Sequence, residues 1–202
     1  MSRQREQTRR RRVRALLAAF VAGFFLNSCH GPASVFSGGP AVGPMEQPGG
    51  RARFCVPRDG EPDFVLGMED LTDTGDHDLV LDSASLGDAK NLMETGAYVT
   101  VVKPHQGGVL GVVPGIPPRF LGQGQASTWA GRRPLAGTVV PPRSSRSYVN
   151  LLVVVHSPDP GLDGSVKHLV VHDHSGRQHF VHTGGVEYVM AGTKCRAPRW
   201  AR

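Results

Sequence analysis

From residue 54 onward the chain consists of short apolar runs, rich in valine and separated by turn residues. DFVLGMEDL (63–71) alternates loosely, and DLVLDSASL (78–86) alternates apolar with small or polar positions. AYVTVV (97–102), VLGVV (109–113) and LAGTVV (135–140) follow, then 166–173, 177–183 and 186–190. A period of two marks a strand with one face in a core, and an unbroken apolar run marks a strand covered on both faces. YVNLLVVVH (148–156) is such a run and is the expected central strand. Many short strands at turn-marked spacing predict an all-β fold, an Ig-like antiparallel β-sandwich of about 7–9 strands. One brief helix is expected over 89–95, with Asp88 as its N-cap and Gly96 as its stop. The segments 106–108, 115–118 and 123–127 read as a Gly/Pro-rich connection between strands. Trp129 is expected to pack on the sandwich edge; the alternative is a sticky surface contact made with Arg132 and Arg133.

Charge changes the picture at the N-terminus. The chain of 202 residues carries a net charge of +6 and a pI near 9.7, values that suggest a nucleic-acid binder. The location of the charge removes that reading. MSRQREQTRRRRVR (1–14) holds seven arginines and one glutamate, so the rest of the chain is neutral. Arginines followed by LLAAFVAGFFL form an export signal: the charges stay in the cytoplasm while the apolar run enters the bilayer. The run from Ala15 to Leu26 is short against the roughly 20 residues needed to span, which favours a cleaved signal over a permanent helix. The expected organisation is a signal peptide or membrane anchor over 1–29, a flexible Gly/Pro-rich tether over 30–53, the sandwich over 54–195 and a basic tail over 196–202.

The three cysteines divide by position. Leu26-Asn27-Ser28-Cys29 resembles the lipobox of bacterial lipoproteins, which implies lipidation of Cys29 and an anchor in the cell membrane. Asn27 is unusual at its position in that pattern, and an uncut N-terminal helix or full secretion are the alternatives. Cys55 and Cys195 bracket the folded part, and outside the cytoplasm two such thiols usually pair. With one cysteine lipidated and two bridged, no thiol remains for catalysis.

Candidate chemistry is sparse. Nucleophile-elbow, Walker, HExxH and CxxC patterns are missing. Asp70, Asp73, Asp76 and Asp78 form an acidic run without the glycine and glutamate of a calcium loop. His77 near Ser83 and Ser85 is adjacency in sequence and not a triad. The densest feature is LVVHDHSGRQHFVH (169–182), with four of the nine histidines. Asp173-His174-Ser175-Gly176 suits a turn, so the segment reads as a β-hairpin. A three-residue loop ending on Gly176 sets His168 opposite His182. A two-residue turn on Ser175 and Gly176 sets His172 opposite His179, with His174 next along the same face. Either register lets two imidazoles reach one Zn²⁺ or Cu²⁺ ion, from the set His168, His172, His174, His179 and His182. The competing and favoured expectation is a solvated strand face with no cofactor.

GAYVTVV, the RRPLAG element before NLLVVV, and the hairpin before the last cysteine resemble the small exported, lipobox-bearing β-sandwich proteins of high-GC Gram-positive (actinobacterial) type. The resemblance covers roughly residues 60–195 and implies the architecture; no activity comes with it. The expected function is a non-enzymatic, membrane-anchored extracytoplasmic binding or structural module, with the membrane and a protein as partners and no nucleic acid. The alternative is a His-rich exported protein binding Zn²⁺ or Cu²⁺.

Overall fold

The computed structural model describes residues 43–46, 52–103, 108–119, 121–192 and 195. The expected signal, Cys29, most of the tether and the basic tail lie outside the described residues. The chain runs through β1 (Met45–Glu46), β2 (Ala52–Pro57), β3 (Asp63–Asp73), β4 (Leu79–Gly87), β5 (Met93–Val102) and β6 (Val113–Pro114). There follow the helix α1 (Gln123–Ala130), β7 (Arg133–Pro134), β8 (Thr138–Val140), a 3₁₀ turn at Arg143–Ser145 and β9 (Tyr148–His156). The last strands are β10 (Gly164–Val166), β11 (His168–Ser175), β12 (Gln178–Thr183) and β13 (Val186–Ala191).

These form three sheets, β1-β3-β9-β5-β7 with β6 added to β3, β12-β11-β4-β8, and β10-β13-β2. Every pairing between strands is antiparallel except β13 with β2. The all-β sandwich expected from the pattern is therefore present. Its core joins all three sheets through Phe64, Leu71, Leu81, Leu151, Val171 and Tyr188. Fully burying a side chain of this kind contributes about 1.5–3 kcal/mol.

β9 is central, between β3 and β5, and buried on both faces. Val149, Leu151, Val153 and Val155 point into the sandwich core. Leu152 and Val154 point the other way, against Val65 and Leu110, with Tyr98 and Trp129 packed alongside. Asn150, at the middle of that second face, is fully buried and satisfied. It accepts the Leu110 N–H at 3.0 Å and donates to the Gly67 carbonyl at 2.5 Å and the Glu69 carbonyl at 3.3 Å. β3 carries an extra residue between Leu66 and Glu69, and Asn150 collects the carbonyls this bulge displaces.

The expected helix over 89–95 is absent. Asp88 and Asn91 both adopt positive φ (51° and 48°), Lys90 bridges Ser165, and β5 pairs with β9 from Met93 to Val102. A long ladder on the central strand outweighs a short stretch of helix-compatible sequence. The described helix lies instead at 123–130, inside the expected loop. Its polar turns are held from outside: Thr100 donates to the Thr128 carbonyl at 2.7 Å, and the Thr128 hydroxyl donates to the Gly108 carbonyl at 2.5 Å. Trp129 packs half-buried on the second face of the central sheet, with the Arg132 guanidinium 3.8 Å from its ring centroid. The disulfide between Cys55 and Cys195 is formed, tying β2 to the end of the chain across 140 residues.

Candidate functional site on the outer face of β4, β11 and β12

The β11–β12 hairpin closes on Gly176 and Arg177, so that Ser175 faces Gln178 and His174 faces His179. Neither register expected from the sequence is realised. Gly176 has φ of 59° and opens the two-residue loop, the position that a type II′ turn reserves for glycine. In a loop of this length the flanking residues form the hydrogen-bonded pair. The next pair out, 174 and 179, is then of the closer kind, with Cα atoms about 4.5 Å apart. Their imidazoles meet with centroids 5.5 Å apart and planes tilted by 41°.

The third member comes from β4. His172 pairs with Ser83 and Asp173 with Leu81, so Asp82 is one residue more than β11 can match. Leu79 and Leu81 face the core before this bulge and Ala84 after it, which leaves Asp82 and Ser83 together on the outside. The bulge re-aims a carboxylate that strict alternation cannot deliver. Asp82 Oδ1 lies 2.7 Å from His174 Nδ1, and Asp82 Oδ2 lies 3.7 Å from His179 Nδ1. One ligand-type atom from each of the three residues falls within 4.8 Å of the others, and among the described residues this is the one such group of three. Side-chain exposure is 37% for Asp82, 30% for His174 and 74% for His179. Two nitrogens and a carboxylate oxygen thus converge on an open strand face, where they can share a proton, receive a cation or meet a partner's polar groups.

The other predicted histidines lie elsewhere. His172 shares the outer face with His174, but its cross-strand neighbours are Val181 and Ser83. His182 points the opposite way, into the sandwich, where Nε2 comes within 3.1 Å of Asp173 Oδ2. That contact lacks hydrogen-bond alignment, and both residues are buried. His168 stacks over Gly87, where a Cβ would overlap its ring. It also lines an open cleft of about 730 Å³ with Arg53, Lys167, Gly184, Gly185 and Glu187. The charges around that cleft are already paired, Arg53 with Glu187 at 3.5 Å and Lys167 with Asp88 at 2.9 Å. The acidic run does not gather: Asp73 is buried and accepts the Gly75 N–H at 2.7 Å, while Asp76 and Asp78 are exposed.

One buried acid stands apart from this face. Glu69 points into the core, where burial pushes its carboxyl up to about 7 against the hydrogen bond from the Val186 backbone. Burial likewise raises its neighbour Asp70 to about 6, against the hydrogen bond from Asn150. Gly184 covers Glu69 so closely that a Cβ there would overlap the carboxylate.

Asp82 was absent from the sequence-predicted site. Its signal lay in the parity of DLVLDSASL, where the apolar positions change from odd (79, 81) to even (84, 86). Such a change marks an inserted residue whose side chain joins the outer face. No protein-family model matches the chain, and neither a curated protein nor a solved structure matches it.

Proposed function

We propose that the chain is a membrane-anchored, extracytoplasmic β-sandwich module that works by binding, with the outer face of β4, β11 and β12 as its recognition site. The observation that carries this reading is the convergence of Asp82, His174 and His179 on an open face. The other described histidine–carboxylate contacts involve one carboxylate and one histidine each, and one of them is buried. A flat, solvent-facing strand surface suits capture of a ligand rather than enclosure of a reacting substrate. Export is supported by the arginine-rich start, the apolar run after it and the Cys55–Cys195 bond, a kind of bond that persists outside the reducing cytosol.

Fractionation of expressing cells followed by intact-mass measurement tests the reading. The expected product is membrane-associated and degraded by protease added to whole cells or spheroplasts. Its N-terminus lies at Cys29 with added acyl mass, and Cys55 and Cys195 are oxidised. A full-length chain in the cytosolic fraction with both thiols reduced overturns it.

A further inference from the structure

We propose that Asp82, His174 and His179 bind one late divalent transition-metal ion, Cu²⁺ or Zn²⁺, with at least one coordination position left open to the solvent. The inference rests on the recognition face described above and names its ligand class.

The donor set selects the ion. Two imidazole nitrogens suit zinc and copper, whereas calcium and magnesium prefer an all-oxygen shell. A carboxylate beside them supplies negative charge, so the site is not a pair of neutral surface histidines. The distances are close to what such an ion needs. Donors held at about 2.0–2.1 Å around a tetrahedral centre lie roughly 3.3 Å from one another. The His174 Nδ1–Asp82 Oδ1 contact of 2.7 Å and the His179 Nδ1–Asp82 Oδ2 contact of 3.7 Å, made through different carboxylate oxygens, fall on either side of that figure. The ion takes the place of the proton that His174 Nδ1 shares with Asp82. One ring nitrogen of each histidine lies within 4.8 Å of the other. Closing that separation draws on rotation of His179, whose side chain is 74% exposed and meets the His174 ring.

The backbone is already committed. A two-residue loop fixes the register that sets His174 against His179, and the β4 bulge fixes Asp82 beside them. Three ligands on adjacent strands of one face occupy one side of the ion, and the opposite side meets water or a ligand brought by a partner. A closed structural zinc site takes four protein ligands, so this arrangement keeps a position for water or an exogenous ligand.

The test is titration of the untagged full-length chain, with its disulfide formed and Cys29→Ser to remove the free thiol, against a chromophoric chelator competing for Cu²⁺ or Zn²⁺. One equivalent is expected to bind with a Kd tighter than about 10 μM, copper more tightly than zinc, and excess Ca²⁺ is expected not to displace either. Asp82→Asn and His179→Ala are each expected to weaken binding at least about tenfold. His172→Ala and His168→Ala are expected to leave it unchanged. These positions are surface-exposed or half-exposed, and the thermal unfolding midpoint of each variant verifies that it folds. The Cu²⁺-loaded chain is expected to show coupling to two imidazole nitrogens by electron paramagnetic resonance. Binding weaker than about 10 μM, or binding indifferent to Asp82→Asn and His179→Ala, overturns the inference. An exported, disulfide-bonded chain that binds neither ion refutes the metal and leaves the module reading intact; a cytosolic, reduced chain that binds one does the reverse.

Discussion

Asp82 reaches His174, Oδ1 to Nδ1 at 2.7 Å, because β4 holds one residue more than β11 between the pairs His172–Ser83 and Asp173–Leu81. The extra residue serves the outer face alone. Deleting Asp82 joins Leu81 to Ser83 and restores plain alternation, with Leu79, Leu81 and Ala84 still facing the core. Equilibrium unfolding in urea should show a change within about 1 kcal/mol for this deletion. Deleting Ser83 as well turns Ala84 and Leu86 outward and should cost several times more, since a slip of one position moves every later side chain to the other face.

Asn150 is the polar keystone of the central strand. Replacing it by leucine strands the Leu110 N–H and the Gly67 carbonyl away from water. The expected loss is about 2–4 kcal/mol in urea unfolding, with an unchanged denaturant slope. Asn150→Asp retains an acceptor for Leu110 but repels both carbonyls, and should be no better.

Glu69 sets a pH dependence with a definite sign. Its folded-state value, about 7, lies above the ordinary 4.5 because the ionised form is desolvated. The folded chain therefore holds this proton over a range in which the unfolded chain has released it. Its contribution to stability is greatest below pH 4.5, falls as pH rises towards 7 and then levels off. Asp70, raised to about 6 from 3.8, acts in the same direction over a lower window. Glu69→Gln should flatten the decline and raise the unfolding midpoint most at and above neutral pH, with little effect near pH 4 to 5, as thermal melts across that range will show.

The Cys55–Cys195 bond closes a loop of 140 residues. In the chain-entropy model a loop of that size is worth about 5 kcal/mol, a large part of the stability of a domain this size. Reduction, or Cys195→Ser, should lower the melting temperature by about 10–20 °C at the usual few degrees per kcal/mol. Calorimetry with and without reductant measures it.

Much of this architecture is legible as periodicity. The run 148–156 announces a strand covered on both sides, and β9 is that strand; 63–71, 97–102 and 186–190 likewise lie within β3, β5 and β13. Legibility fails where local chemistry is ambiguous. Gly176 fits the end of a three-residue loop, the second place of a two-residue turn, or the first; the sequence alone does not choose, and each choice moves the histidine partners. α1 hides among glycines because its stability comes from Thr100 and Thr128 contacts with distant backbone rather than from an apolar stripe. The run 109–113 contributes only Val113 to a strand, because Leu110 turns inward to pack under β9 and give its N–H to Asn150. At the site, the sequence pointed to the hairpin and its imidazoles, but not to Asp82, whose partners lie more than 90 residues away and whose bulge shows only as a change of parity.

The most direct measurement is nitrogen NMR of the histidine side chains in the full-length chain, with and without Asp82→Asn. A carboxylate has no proton to give, so His174 must donate from Nδ1, and its tautomer is fixed by Asp82. The predicted result is a hydrogen-bonded, protonated Nδ1 at His174 that shifts strongly in Asp82→Asn, while His172 keeps its signal. A His174 resonance indifferent to that substitution, or a response at His172 in its place, contradicts the convergence on which the site depends.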